Sequence, residues 1–333
     1  MKNRRMELSY IFLIIGFFLL IKGADIFVSG ASNISKKLGI PSVIVGLTIV
    51  SLGTSAPELA VSVISSIEGS NEIAVGNVLG SNLFNTLMVL GVTTIIMALT
   101  IKKSDIKRDF SINILVTILL LILTFTTLLG GEDNYISRLD GIILLIGCIS
   151  YIIYLILSVK VGKTTSENIH EELALESTNE VNIFKSILKL IIGVAGIIIG
   201  GQLVVDSATF IATSLGMSEK LVGLTIVAVG TSLPELVTSV VAAVKGEEDI
   251  ALGNILGSNI FNILLIIGLS SAISPIAVSH NLIFDFVFLI VVTLIIGIMI
   301  FINKSEEKRF GKKEGIILVV FYVIYMIYII IRN

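Results

Sequence analysis

Apolar residues in this chain form long blocks, not the short alternating runs that are typical of a soluble protein. A helix that crosses a membrane needs about 20 mainly apolar residues, and ten blocks reach that length. Short polar stretches separate the blocks. The pattern predicts an all-α, polytopic membrane protein with ten transmembrane helices, over residues 8–29, 42–67, 72–98, 109–130, 139–159, 183–208, 219–244, 249–272, 282–303 and 314–331.

The blocks form two halves that repeat one another. The stretch 223–236 (GLTIVAVGTSLPEL) matches 46–59 (GLTIVSLGTSAPEL) at eleven of fourteen positions, at an offset of 177 residues. At the same offset, GNILGSNIFNIL from Gly253 follows GNVLGSNLFNTL from Gly76. The second copy comes five predicted spans after the first, and an odd number places the copies in opposite orientations. We predict two inverted five-helix repeats, residues 1–159 with motif 46–87 and residues 183–333 with motif 223–264, joined by a polar linker 160–182.

The composition agrees with a protein that lies mostly in lipid. Hydrophobic residues make up 55% of the chain and charged residues 14%, whereas a soluble domain has about 25% charged residues. A net charge of −2 gives no reason to expect a nucleic-acid partner. Cys148 is the only cysteine, so an intrachain disulfide framework and a cysteine metal cluster are excluded. We expect a buried, inert thiol at this position.

The basic residues predict the orientation in the cell membrane. With the N-terminus outside, the inner loops hold sixteen Lys and Arg residues and the outer side holds six. Because basic residues concentrate on the cytoplasmic side, we expect both termini to be extracellular. Three further acids in or near the spans, Asp25, Asp206 and Asp285, are expected to pair or to lie at the interface and not to bind ions.

Each copy of the first motif places one acid, Glu58 or Glu235, in an apolar run. The preceding Pro57 has no N–H group and its ring crowds the previous turn, so the helix should kink there. Irregular backbone at membrane depth is tolerated only where it is buried in protein or lines a cavity. Thr54 lies four residues before Glu58, on the same helix face. The second copy repeats this arrangement with Thr231, Ser232, Pro234 and Glu235.

The helix after each motif carries polar residues at a spacing of four, which places them along one face. Interhelical hydrogen bonding, worth about 0.6 kcal/mol per contact, is one interpretation of such a stripe. Its duplication beside the two acids favours an additional role as ligands. The residues are Asn77, Ser81 and Asn85 in the first half and Asn254, Ser258 and Asn262 in the second.

Carboxylates, hydroxyls and amides are hard oxygen donors, which suit Ca²⁺, Na⁺ and Mg²⁺. Two buried carboxylates cost several kcal/mol of desolvation unless they are neutralised. One Ca²⁺, two Na⁺ or two protons would balance both charges. The residues therefore predict a site at which cations compete, which is the physical basis of antiport, and no resident cofactor is expected.

Through the motifs GTSxPE and GNxxGSNxxN in each half, nearly the whole chain resembles the sodium/calcium exchangers of the cation/calcium antiporter superfamily. It is most similar to prokaryotic members without a large regulatory domain. The resemblance implies four ion sites in a diamond at the membrane centre, with the first and sixth helices sliding to open them. The ligands that it implies are Thr54, Ser55, Glu58, Ser81, Asn85, Thr231, Ser232, Glu235, Ser258, Asn262 and the backbone carbonyls of Ser51 and Ala228.

Three positions refine the expected activity. Proton/calcium exchangers of the superfamily typically have glutamate where this chain has Gly80 and Gly257, and potassium-dependent relatives typically have aspartate where it has Asn262. The resemblance therefore implies K⁺-independent exchange of Na⁺ for Ca²⁺ and no enzymatic activity, with lipid, Ca²⁺ and Na⁺ as partners. A monomer would suffice because each chain holds a complete site. The alternatives are a proton/calcium antiporter, a cation channel and, more remotely, an intramembrane enzyme.

Overall fold

The structure is a computed structural model that describes residues 2–69, 72–125, 134–166, 182–217, 228–302 and 306–332. It is almost entirely helical. Helices α2, α4 and α10 each contain a π-helical turn, at Gly46–Val50, Phe84–Val89 and Asn262–Ile267. The helices are α1 (Lys2–Leu38), α2 (Ser42–Thr54), α3 (Ala56–Ile67), α4 (72–96), α5 (Lys103–Thr124), α6 (Arg138–Ser166), α7 (Ile183–Ser214), α8 (Ala228–Gly230), α9 (Leu233–Val244), α10 (Glu248–Ile273), α11 (Leu282–Phe301) and α12 (Lys312–Arg332).

Within the described residues, seven helices are long and apolar enough to cross a membrane, and the bent pair α2 and α3 would supply an eighth. The predicted span 109–130 corresponds to α5 up to residue 124 and lies outside the described residues beyond residue 125, and the first turns of α5 carry the charged sequence KSDIKRD. The predicted span 219–244 lies partly outside the described residues, which leave α9 as a shorter apolar helix. The all-α, multi-pass architecture is therefore as predicted, whereas the count of ten stays a prediction.

Several helices are longer than the apolar pattern indicated, α1 and α6 among them. Helix α1 ends at Leu38 and not near residue 29, and Ser32 and Ser35 on its extension are buried. Helix α6 continues to Ser166, so the first residues of the predicted linker 160–182 are helical. Backbone hydrogen bonds hold a helix together whatever its side chains, so hydropathy alone marks the lipid boundary and not the helix end. Residues 167–181 of the linker lie outside the described residues.

Helices α1 and α7, which hold equivalent places in the two halves, pack against each other in antiparallel directions. Gly16 lies against Gly200 and Val204, whereas Gly23, further along α1, lies against Gly193. A Cβ atom on Gly23 would approach the backbone nitrogen of Ile197 to 2.7 Å. Small residues allow such close helix contact in membranes. Because Gly16 corresponds to Gly193 and Gly23 to Gly200, the contact is reciprocal and has local two-fold symmetry.

Two short antiparallel ribbons connect the loops of the two halves. Strand β1 (Leu99–Lys102) pairs with β4 (Glu307–Phe310), and β2 (Tyr135–Ile136) pairs with β3 (Ile276–Ala277). Strands β1 and β3 begin at equivalent positions of the repeat, 177 residues apart. Each ribbon therefore joins the loop after one motif to a loop of the other half.

The additional acids have polar partners, as expected. The buried carboxylate of Asp285 receives two hydrogen bonds from Arg332, of 3.0 and 3.2 Å, and one from Tyr325. Asp25 forms a 2.6 Å ion pair with Lys245, which ties α1 to the end of α9. Asp206 accepts a hydrogen bond from Gln202 on its own helix. Each of these three carboxylates therefore has a hydrogen-bond or ion-pair partner, and none of these partners is a motif acid.

The single thiol, Cys148 of α6, is only 3% exposed. We therefore expect a maleimide reagent to leave the folded protein in detergent unmodified and to label it stoichiometrically after unfolding in sodium dodecyl sulfate. Intact-protein mass spectrometry measures both states. Rapid labelling of the folded protein would contradict the burial.

Candidate cation site

The first motif forms a bent helix, as Pro57 predicted. Helix α2 ends at Thr54, α3 begins at Ala56, and their axes differ by 50°. Ser55 between them leaves the helical conformation, with φ −81° and ψ 9°. In the second half, Ser232 stands at the corresponding break before α9, with φ −96° and ψ 6°. At each break a buried serine precedes the first turn of the next helix, which carries the buried acid.

Serine hydroxyls cross between the halves to the two acids. Ser55 donates a 2.7 Å hydrogen bond to Oε1 of Glu235, and Ser232 donates a 2.9 Å hydrogen bond to Oε1 of Glu58. Each donor also lies 3.0 Å from a second hydroxyl, Ser258 for Ser55 and Ser81 for Ser232. Those two hydroxyls contact the same carboxylate oxygens at 3.4 and 3.5 Å. Two equivalent clusters of one carboxylate and two serines are thus built from both halves.

The two carboxylates are buried without a positively charged partner. Glu58 is 0% and Glu235 is 1% exposed, and none of the ion pairs among the described residues includes either of them. Their Oε2 atoms have no hydrogen-bond partner among the described groups. In the same part of the chain, no group of three or more His, Cys, Asp or Glu side chains is placed to hold a metal ion. A cation here would therefore need oxygen from hydroxyls, amides or carbonyls as well.

The asparagine at the start of each polar stripe supports the turn that carries the acid. Asn77 donates to the hydroxyl of Ser62 at 3.1 Å, and Asn254 donates to that of Ser239 at 2.9 Å. The amide nitrogen of Asn77 also lies 3.5 Å from the backbone carbonyl of Glu58, and that of Asn254 lies 3.4 Å from the backbone carbonyl of Glu235. Asn77 and Asn254 therefore brace the motif helices.

The threonines of the two motifs differ. Thr54 donates to Oδ1 of Asn254 at 3.0 Å, whereas the buried Oγ1 of Thr231 has no partner among the described groups. The Ser51 carbonyl, predicted to bind sodium, accepts a hydrogen bond from the Ser55 N–H, and the Thr54 hydroxyl lies 3.2 Å from it. Ala228 occupies the first position of α8, before the second break. Thr54 and Thr231 thus hold equivalent positions in the repeat but differ in hydrogen bonding.

The two predicted amide ligands, Asn85 and Asn262, lie on the π-helical segments of α4 and α10 and are 0% exposed. Such segments are rare and occur frequently at functional sites. Neither amide atom of Asn85 has a partner among the described groups, and Oδ1 of Asn262 also lacks one. These side chains therefore bury further oxygen atoms that no other described group hydrogen-bonds.

Sequence reasoning missed a set of polar residues that link α4 and α10. Asn82 donates to the backbone carbonyl of Asn259, and Asn259 donates to the hydroxyl of Thr86. Ser62 and Ser239, which support the asparagines described above, were missed as well. The duplication contained a signal for both pairs, because Asn82 and Asn259, like Ser62 and Ser239, are identical residues 177 positions apart.

Comparison with known proteins identifies the family of the chain that carries these two clusters. A family model described as "Sodium/calcium exchanger protein" matches residues 8–160 and 185–331. The chain belongs to the sodium/calcium exchanger family. Members of this family are membrane antiporters, so the membrane location and the resemblance inferred from the motifs are confirmed.

Individual relatives extend over nearly the whole chain. The sodium/calcium exchanger MaX1 of Methanosarcina acetivorans is 33% identical over 345 residues, covering 96% of this chain and 97% of its own. The putative antiporter CaxA of Alkalimonas amylolytica is 37% identical over 322 residues, covering 96% and 98%. A solved sodium/calcium exchanger from Methanococcus jannaschii superimposes with a TM-score of 0.79 at 28% identity, covering 96% and 98%. The similarity to exchangers therefore includes both halves and both motifs.

Proposed function

We propose that this protein is a secondary antiporter that uses the inward flow of Na⁺ to move Ca²⁺ out of the cell by alternating access. The observation that carries the proposal is the pair of buried glutamates, each bonded by a serine of the opposite half and each with one oxygen that lacks a hydrogen-bond partner among the described residues. Ca²⁺ and Na⁺ are the transported substrates.

The charge of the site explains why the two ions would exchange. Burying two carboxylates without a counter-ion costs several kcal/mol, so a cation stabilises the closed site. One Ca²⁺ or two Na⁺ would each neutralise both glutamates. Because both species need the same oxygens, binding of one displaces the other, and the gradient of one drives the movement of the other.

The remaining predicted ligands complete a shell of neutral oxygens. The free oxygens of Thr231, Asn85 and Asn262 and the hydroxyls of Ser81 and Ser258 are all donors of the kind that Ca²⁺ and Na⁺ bind. We assign ligand roles to these side chains, to Thr54, Ser55 and Ser232, and to the carbonyls of Ser51 and Ala228. At position 262 an amide and not a carboxylate favours exchange without K⁺.

The glycine contact between α1 and α7 supports alternating access through inverted repeats. The antiparallel course of these equivalent helices is the relation that an inverted repeat requires. Their close packing also supports a movement of the two helices as one unit. Sliding of that unit past the motif helices would open the site to each side in turn.

A reconstituted assay tests this function. Vesicles loaded with Na⁺ and diluted into Na⁺-free buffer containing ⁴⁵Ca²⁺ should accumulate the isotope, whereas vesicles loaded with choline should not. Equal rates with and without K⁺ are expected. Uptake that ignores the Na⁺ gradient would contradict the proposal. Uptake driven by a pH gradient without Na⁺ would assign the chain to proton/calcium exchange, and unitary currents would indicate a channel.

A further inference from the structure

Two asparagines outside the proposed ligand shell lie where α4 and α10 meet. Asn82 is 1% and Asn259 is 2% exposed, and they hold equivalent positions in the two halves. Nδ2 of Asn82 donates a 3.1 Å hydrogen bond to the backbone carbonyl of Asn259. A backbone carbonyl only accepts hydrogen bonds. The nitrogen of the Asn82 amide must therefore face this carbonyl, and its Oδ1 must face away.

The orientation of Asn82 determines that of a proposed ligand. Nδ2 of Asn262 donates a 3.0 Å hydrogen bond to Oδ1 of Asn82. Since the oxygen of Asn82 accepts this bond, Asn262 must present its nitrogen here and its oxygen on the opposite side. That oxygen is fully buried and has no partner among the described groups. Two successive hydrogen bonds thus lead from the backbone carbonyl of Asn259 through Asn82 to Asn262. They fix the direction of the Asn262 amide oxygen, which has no partner among the described groups.

We infer that Asn82 is a positioning residue that keeps the oxygen of Asn262, and not its NH₂ group, directed at the transported cation. The inference rests on the proposed function, in which Asn262 is a ligand. An amide in the reversed orientation would point two N–H donors at a positive charge. Groups that orient a ligand in this way typically change metal affinity or activity on the order of 10-fold or more when they are removed.

The equivalent orientation does not occur in the first half. Asn259 donates its amide nitrogen to the hydroxyl of Thr86 at 2.9 Å, and the position equivalent to Thr86 in the second half is Ile263. Neither atom of Asn85 has a partner among the described groups, and Oδ1 of Asn259 also lacks one. The hydrogen bonds of Asn82 therefore orient the amide of Asn262, whereas Asn259 does not orient the amide of Asn85. For this reason Asn259→Ala supplies a matched control.

The test measures Ca²⁺ binding separately from Na⁺ coupling. Purified protein is heated in detergent at increasing Ca²⁺ concentrations, and unfolding is followed by the reaction of Cys148 with a thiol-reactive fluorophore. Because a ligand that binds only the folded state raises the melting temperature, the concentration dependence gives an apparent affinity. Asn82→Ala is compared in the wild-type and Asn262→Ala backgrounds, as a double-mutant cycle.

We expect Asn82→Ala to weaken Ca²⁺ binding on the order of 10-fold in the wild-type background and to have no further effect once Asn262 is alanine. Asn259→Ala should leave the affinity within about twofold, because its side chain contacts no ligand amide. Equal losses in both backgrounds, or an equal loss from Asn259→Ala, would show a packing role and overturn the inference. Asn82→Ser replaces the alanine variant in the same comparison if that variant does not fold.

The two proposals fail in different ways. Wild-type protein that binds Ca²⁺ but does not couple uptake to Na⁺ refutes the proposed function, whereas the cycle between Asn82 and Asn262 can still support the positioning role. Coupled uptake with independent effects of the two asparagines refutes only the positioning role.

Discussion

Replacing either buried glutamate with glutamine, Glu58→Gln or Glu235→Gln, is expected to abolish Na⁺-driven Ca²⁺ uptake. The change keeps the volume of the side chain but removes half of the negative charge of the site and introduces an NH₂ group, which cannot bind a cation. A Ca²⁺ ion would then be held in a buried site by one carboxylate, without the charge balance that offsets its own desolvation. A loss of at least about 100-fold in initial rate is expected, since removing one partner of a buried charge pair costs about 3–5 kcal/mol.

The same variants should be more stable than the wild-type protein when cations are absent. In chelator, without Na⁺ and at a pH at which the carboxylates are ionised, the wild-type protein buries two charges with no counter-ion, whereas each glutamine variant buries only one. We therefore expect a higher melting temperature for the variants in chelator and a smaller rise on adding Ca²⁺. Glu68→Gln, at the exposed end of α3, is the control and should match the wild-type protein in both measurements. Normal uptake by Glu58→Gln would exclude its carboxylate from the ion site.

The second large effect is expected from a single methyl group between α1 and α7. A Cβ atom on Gly200 would lie 2.5 Å from the backbone nitrogen of Leu20 and 2.8 Å from the carbonyl of Gly16. Since backbone atoms on the facing helix block the methyl group, Gly200→Ala must separate the helices. Overpacking of this kind costs about 1–3 kcal/mol, and we expect a clear fall in melting temperature together with loss of Ca²⁺ uptake.

The adjacent glycine provides a matched control. A Cβ atom on Gly201 would meet only the ring of Pro234, at an ordinary contact distance of 3.7 Å. Because both glycines lie within α7, alanine improves the intrinsic helix propensity equally at both positions. Gly201→Ala should therefore keep or slightly raise stability and retain uptake. If the two alanine variants behaved alike, the close contact would not hold the helices together.

The duplicated motif predicted that its acids and serines lie in the interior of the bundle, because polar and ionisable residues within apolar helices almost always face the interior and not lipid. It did not predict that Ser55 bonds Glu235 and that Ser232 bonds Glu58, since this pairing depends on how the helices of the two halves cross. It also did not predict the difference between Thr54 and Thr231. Both threonines stand at the same position of the same motif, so only the structure shows that Thr54 has a hydrogen-bond partner and that Thr231 has none among the described groups.

The asparagines at the junction of α4 and α10 were missed for a geometric reason. A spacing of four selects Asn77, Ser81 and Asn85 as one face of a regular helix, and Asn82, about 100° further round the axis, falls outside it. That rotation directs Asn82 toward α10 and Asn259. The π-helical turn that starts at Phe84 then changes the residue count per turn, so Asn85 cannot be placed from α-helical periodicity alone.

Each glutamate accepts its shorter hydrogen bond from a serine of the other half, and this arrangement also bears on how such a chain arose. Neither half holds both a glutamate and the serine that gives it the shorter hydrogen bond. A polypeptide cut in two between the halves would have to reassociate before either acid regained its donor. An ancestor with a single repeat would, for the same reason, have had to dimerise with a copy of itself to supply each acid with this donor.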